Sequence, residues 1–137
     1  MYTKEERLKF GLEAEEFCQK CFEKIGIKVL RSRDQQNWNS SLDRKIGDLI
    51  LVFKEYVFID IKRGSISKDS LEAFKGQYYF VYNVNLTELF IFKPADIQNC
   101  SKLSYVRLSS NDWGIKLDQL KRHVSFMTLD EFLSKLR

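Results

Sequence analysis

Two aspartates and a lysine mark where this chain could do chemistry. In the stretch Gly47 to Lys62, GDLILVFKEYVFIDIK, one acid heads an apolar run and an Asp-x-Lys triplet closes the next. Two carboxylates and an ammonium set among apolar residues are costly to bury unless they are paired or used. Asp48 and Asp60, joined by a third acid, would make a hard, oxygen-rich site that suits Mg²⁺ or Mn²⁺, one ion or two, rather than zinc. Such a cation polarises a phosphodiester, lowers the pKa of a bound water and stabilises charge on the leaving oxygen. Lys62 could then orient or deprotonate that water, or face the charge of the transition state. The chemistry implied is metal-dependent phosphodiester hydrolysis.

The element that must position these groups is a β-hairpin. Both apolar runs are rich in Val, Ile, Leu, Phe and Tyr, and Lys54-Glu55 is the polar break between them. Side chains alternate faces along a strand, so Asp60 and Lys62 point the same way. Asp48 shares their face only if the turn has an odd number of residues. A two-residue turn at Lys54-Glu55 sets Asp48 opposite Ile61 and sends it to the other side. A three-residue turn, Lys54-Glu55-Tyr56, sets Ile50 opposite Asp60 and Asp48 opposite Lys62, with opposed residues about 5 Å apart. The cost of burying the charges separately predicts the odd-length turn.

The third acid comes from a helix. Lys4 to about Lys24 reads as amphipathic and ends at Gly26. Leu8, Gly11, Leu12, Ala14, Phe17, Cys18, Cys21 and Phe22 fill one arc, and Glu15 alone of the helix's six glutamates falls inside it. Glu15 either pairs with an Arg or Lys at the core edge or is aimed at the hairpin face. Ile27 to Leu30 follows as a short strand. The polar segment Arg31 to Lys45 carries Arg31, Arg33, Arg44, Lys45 and Trp38. It is either a phosphate-backbone contact with a ring free to stack on a base, or a surface loop whose tryptophan covers the core. Arg63, after the catalytic triplet, and Gln77 are further candidates for nucleic-acid contact.

Beyond Lys62, Ser67 to about Tyr78 reads as a second helix with Asp69 and Glu72 at capping-box spacing. Tyr79 to Val84 and Glu88 to Phe92 read as a second strand pair. Tyr105 to Leu108 and Gly114 to Leu117 suit an edge hairpin around Ser109-Ser110-Asn111-Asp112, and Thr128 with Glu131 caps a last helix, Leu129 to Leu136. His123, the one histidine, lies in a basic stretch with no partner in view.

An acid-bearing first helix, an Asp heading a strand, Asp-x-Lys on the next strand and then a helix resemble the PD-(D/E)xK nuclease superfamily. The segment GLEAEE resembles the Gly-x-x-x-Glu helix of many of its members, and Gly47 stands where the motif's proline would be. The resemblance runs from Lys9 to about Phe92. It implies an α/β, restriction-endonuclease-like αβββαβ core, with a mixed central sheet flanked by helices, and residues 93–137 as a C-terminal extension of a single 1–137 domain. It implies Glu15, Asp48 and Asp60 as metal-binding acids and Lys62 as the catalytic lysine. It further implies a Mg²⁺- or Mn²⁺-dependent nuclease, acting as an endonuclease on DNA, akin to Holliday-junction resolvases or Mrr-like enzymes. A nucleic-acid-binding module without catalysis on the same fold is the alternative. Many nucleases of this size dimerise, and the aromatic strand pair or the C-terminal region could serve.

Bulk properties agree with this class. The chain has 137 residues, 44% hydrophobic, enough for one domain with a full core. A net charge of +4 leans mildly towards polyanions. Three cysteines, an odd number, with one Cys-x-x-Cys and no histidine cluster beside it, read as small hydrophobes rather than a zinc site. No apolar run approaches the roughly 20 residues that cross a bilayer, and the first residues are charged. The expectation is a soluble, cytoplasmic protein without a membrane partner.

Overall fold

The computed structural model describes residues 3–34 and 46–136. Helix α1 (Lys4–Lys24) opens on a reciprocal cap: the Thr3 hydroxyl accepts from Glu6 N–H and the Glu6 carboxylate accepts from Thr3 N–H. It stops where Gly26 takes φ +86°. Its buried line is Ala14, Cys18 and Phe22, spaced i, i+4, i+8, while Leu8 and Phe17 stand exposed. The buried stripe is therefore narrower than the arc drawn from the sequence, because α1 meets the sheet along a single line of side chains.

Strand β1 (Lys28–Arg31) pairs antiparallel with β2 (Leu49–Val52), which pairs antiparallel with β3 (Tyr56–Arg63). After a short β4 (Ser65–Ser67) and helix α2 (Lys68–Ala73), the chain crosses to β5 (Tyr78–Tyr82), parallel to β3, and turns back in β6 (Leu89–Phe92). The sheet order is β1-β2-β3-β5-β6 with one parallel pair. This is the mixed α/β, αβββαβ arrangement that the resemblance implies. The C-terminal segment adds α3 (Pro94–Gln98), β7 (Val106–Ser109), β8 (Asp112–Lys116), α4 (Leu117–His123) and α5 (Leu129–Leu136). Strands β4, β8 and β7 form a second, three-stranded sheet.

The main sheet separates two cores, and β5 feeds both by alternation. Tyr78, Phe80 and Tyr82 join Ala14, Cys18, Phe22 and the fully buried Phe132 of α5 on one side. Tyr79 and Val81 join Ile66, Leu71, Phe74 and Phe92 on the other. Strand β3 divides likewise: Val57, Ile59 and Ile61 face the first core. The period of two then turns Asp60 and Lys62 to the second side.

Three details differ from expectation. The hairpin turn has three residues, but they are Phe53-Lys54-Glu55, closed by Phe53 N–H donating to Glu55 O at 3.1 Å. The register moves by two, so Ile50 opposes Phe58, and Asp48 falls in line with Asp60 instead of Lys62. A shift of two keeps every side chain on its face, so the parity argument survives the slip. The second helix ends at Ala73, because Phe74 turns extended (φ −69°, ψ 127°) to bury its ring, and Tyr78 begins a strand. Its cap is Ser67, whose hydroxyl accepts from Ser70 N–H at 3.2 Å, rather than Asp69. Helix α4 was not anticipated from the sequence, whereas the Thr128/Glu131 capping box forms as expected. Among the described residues, no helix is long and apolar enough to cross a membrane.

Candidate active site

Asp48 is fixed at four points just ahead of β2. Its N–H donates to Ile59 O at 2.9 Å, and its carbonyl accepts from Ser32 N–H and Ser32 Oγ at 3.1 and 3.2 Å. Its Oδ2 accepts from Ile61 N–H at 2.8 Å. The carboxylate thus satisfies a backbone donor of β3 beyond the end of β2. Gly47 makes this approach possible at φ +85°, where a Cβ would run into the Ile59 carbonyl oxygen. Proline, with φ near −65°, cannot adopt this backbone, so glycine stands at this position for a local reason.

Asp60 and Lys62 stand on the same face of β3, with Lys62 Nζ 3.2 Å from Asp60 Oδ2. Ser70, on α2, donates from Oγ to the same oxygen at 3.0 Å. Tyr79 OH, from β5, donates to the Ser70 carbonyl at 3.0 Å. Asp60 is therefore held by the strand that carries it and by the helix packed over it. Burial pushes the Tyr79 phenol up to about 12, so it remains a neutral donor.

The electrostatics reflect crowding. Burial, then the neighbouring Asp60, then Glu15 push the Asp48 carboxyl well above its ordinary range, against the pull of Lys62. A buried carboxyl beside another carboxylate keeps a proton where positive charge is wanting. Burial by itself lowers the Lys62 pKa, but Asp60 and Asp48 outweigh it and raise it, so the ammonium stays charged at neutral pH. These groups form the floor of an open cleft of about 430 Å³. Arg7, Ser67, Asp69 and Ser70 make its walls, and the β7–β8 turn, Ser109 to Asp112, makes its rim.

The expected site residues divide into three groups. Asp48, Asp60 and Lys62 come together. Glu15 is half-buried on α1 and acts on Asp48 by charge, but it does not line the cleft. Among the described residues, no three His, Cys, Asp or Glu side chains converge closely enough to hold a metal ion, so Asp48 and Asp60 stand as a pair. The nucleic-acid candidates fare differently. Arg31 Nε donates to Gln19 Oε1 at 2.7 Å. Arg63 braces the fold: it donates to Phe10 O and Val84 O, stacks on Phe10 at 3.9 Å and lies 3.8 Å from Glu13. Gln77 precedes β5 instead of riding on a helix, and its Oε1 accepts from Phe58 N–H at 2.7 Å. The side chain of Arg33, and Trp38, Arg44 and Lys45, lie outside the described residues. Cys18 is buried and its thiol pushed up to about 12 by burial, which makes it a packing group.

Comparison with known proteins yields distant likenesses. No family model matches the chain, and no curated protein does. Among solved structures, Hjc of Archaeoglobus fulgidus, a Holliday junction resolvase, is 12% identical with a TM-score of 0.48, over 84% of this chain and 95% of that one. A nuclease from a fusselovirus is 14% identical with a TM-score of 0.49, over 100% of this chain and 94% of that one. At such distances the chemistry of the cleft stands on this chain's own residues.

Arg7, Ser70 and the rim turn are the participants that sequence reading missed. Ser70 had a faint signal, a hydroxyl three residues into a helix that follows the Asp-x-Lys strand. Arg7 and the rim turn had none, since only the tertiary fold brings them to Asp60.

Proposed function

We propose that this chain is a divalent-cation-dependent nuclease that hydrolyses phosphodiester bonds, with DNA as substrate and endonucleolytic cleavage as its mode. The observation that carries the reading is the Asp48, Asp60 and Lys62 set at the floor of an open polar cleft, with Lys62 Nζ 3.2 Å from Asp60 Oδ2. The cleft contains four carboxylates, Asp48, Asp60, Asp69 and Asp112, against the cations Arg7 and Lys62. A phosphodiester is repelled there unless further positive charge accompanies it. The raised Asp48 carboxyl is the same deficit seen from the protein's side. Hard oxygens from two carboxylates, with room for water, fit Mg²⁺ or Mn²⁺, ions that keep several waters and use one or two carboxylates.

Asp48 and Asp60 would hold such an ion, and Glu15 would add negative charge from α1. When bound, the cation supplies an acidified water and neutralises charge on the phosphate oxygens. The chain's own residues supply the rest. Ser70 and Lys62 fix the Asp60 carboxylate, so it does not reorganise during the reaction. Lys62, held as an ammonium, suits orienting the water and facing transition-state charge better than removing a proton.

The test is cleavage with Mn²⁺ or Mg²⁺ of supercoiled plasmid, single-stranded DNA, a four-way junction and RNA. Wild-type cleavage that disappears with EDTA, Asp60→Ala and Lys62→Ala supports the reading. Robust cleavage by either variant refutes the assignment, and salt-sensitive binding without cleavage of any substrate identifies a binding module instead.

A further inference from the structure

The C-terminal hairpin carries an aromatic and cationic face directly beside the cleft. Register pairs Arg107 on β7 with Trp113 on β8, so their side chains share one face of the hairpin, and Tyr105 stands one residue ahead of β7. Trp113 and Tyr105 are 45% and 46% exposed. Each ring carries a cation: the Arg107 guanidinium lies 5.2 Å from the Trp113 centroid, and Lys68 Nζ lies 5.5 Å from that of Tyr105. Both cations are themselves exposed.

Chain connectivity ties this face to the cleft twice. The rim turn, Ser109 to Asp112, runs between Arg107 and Trp113, and the wall residues Ser67 and Asp69 flank Lys68. Arg107, Trp113 and Lys68 thus lie within two residues of groups that line the cleft.

We infer that this face binds a single strand of DNA continuing from the cleft, with Trp113 stacked on an unpaired base and Arg107 and Lys68 on its phosphates. Charge complementarity and stacking select this occupant. Two exposed cations suit a polyanion, whereas the cleft itself is acidic. A flat exposed ring can stack only on a base whose face is free, and inside a duplex those faces are already covered. The inference deepens the nuclease reading, on which it rests for its polyanionic partner, and gives the substrate a single-stranded arm beside the scissile bond.

The experiment uses the full chain in EDTA, so that binding is read without cleavage. The chain's two tryptophans are Trp38 and Trp113, so Trp38→Phe leaves Trp113 as the sole indole reporter. An oligothymidylate should quench that emission. With fluorescein-labelled DNA, Trp113→Ala should weaken oligothymidylate binding by about 5- to 150-fold, the range for one base–aromatic stack. Duplex affinity should change less than about threefold. Trp113→Phe should recover most of the loss, and Arg107→Gln should reduce the salt dependence of single-strand binding by about one phosphate contact. Unchanged oligothymidylate affinity in Trp113→Ala, or equal losses for duplex and single strand, overturns the inference even if the enzyme cleaves DNA. Selective loss in a protein that cleaves nothing upholds this face and refutes the nuclease reading instead.

Discussion

Replacing Gly47 with alanine should damage both the fold and the site, by amounts that the backbone fixes in advance. At φ +85°, an alanine gives up roughly 1–2 kcal/mol in the left-handed region. Its Cβ would collide with the Ile59 carbonyl oxygen and stand 2.7 Å from the Ile59 carbonyl carbon and 2.8 Å from the Phe74 ring. Relieving that contact moves Asp48 away from β3 and weakens the 2.9 Å bond from Asp48 N–H to Ile59 O, worth about 1 kcal/mol. The sum is about 2–3 kcal/mol, which for a chain of this size lowers Tm by roughly 10 °C. The same movement pulls the Asp48 carboxylate from Ile61 N–H, and a displacement near 1 Å can cost about 10²-fold in rate. Thermal unfolding by circular dichroism, with plasmid cleavage well below Tm, reads both effects. A Gly47→Ala protein within about 2 °C of wild type would refute the steric reasoning whatever its activity. A stable loss of Tm with full cleavage would show that Asp48 can move without consequence.

Other perturbations follow from the crowded carboxylates and their support. Asp48 titrates higher in the folded chain than unfolded, so the folded form holds the extra proton. Metal-free stability should therefore fall as pH rises from the unfolded value, about 4, through the folded one, and be level above it. Asp48→Asn should flatten that slope, raise Tm at neutral pH in EDTA and abolish cleavage; an unchanged slope in urea titrations across pH contradicts the assignment. Adding Mn²⁺ at 100 times its Kd should stabilise wild type by about 2.7 kcal/mol and Asp48→Asn far less, and equal shifts in both exclude Asp48 as a ligand. Ser70→Ala removes the 3.0 Å bond to Asp60, which should cost about 1–2 kcal/mol and reduce kcat about tenfold with KM within twofold. A change confined to KM would mean that Ser70 touches substrate rather than positioning Asp60.

What the sequence revealed and what it hid divide along the range of the interactions involved. Asp48, Asp60 and Lys62 were legible because one hairpin contains them, and strand parity depends only on whether its turn is odd. The register itself was missed by two, since Phe53 and Tyr56 are equally plausible strand ends until the fold buries one environment and exposes the other. The second helix was drawn too long because Phe74 and Tyr78 fit a helical stripe, although the sheet claims Tyr78 for β5. Arg63 looked like a phosphate contact because a lone arginine after Asp-x-Lys has no visible partner in sequence. Its partners Phe10, Glu13 and Val84 are tens of residues away in either direction. The rim turn was recognised as a turn, but its place beside the cleft comes from pairing β8 with β4, a contact between segments about 50 residues apart.

The position of Phe132 imposes an order on the making of this protein. Its ring is wholly buried and meets Phe22, Phe53, Tyr78 and Phe80, with centroids 5.0 to 6.3 Å away. Those four rings come from α1, the hairpin turn and β5, so the last helix plugs the core on the side of the main sheet opposite the cleft. During synthesis, residues 3–92 can assemble their strands, but the gap among those rings stays open until residue 132 has left the ribosome. The segment that carries Asp48, Asp60 and Lys62 is thus made about 70 residues before the ring that completes the core beneath it. A nascent chain stalled before α5 would carry every acid of the site and the lysine, without the firm sheet needed to hold them in line.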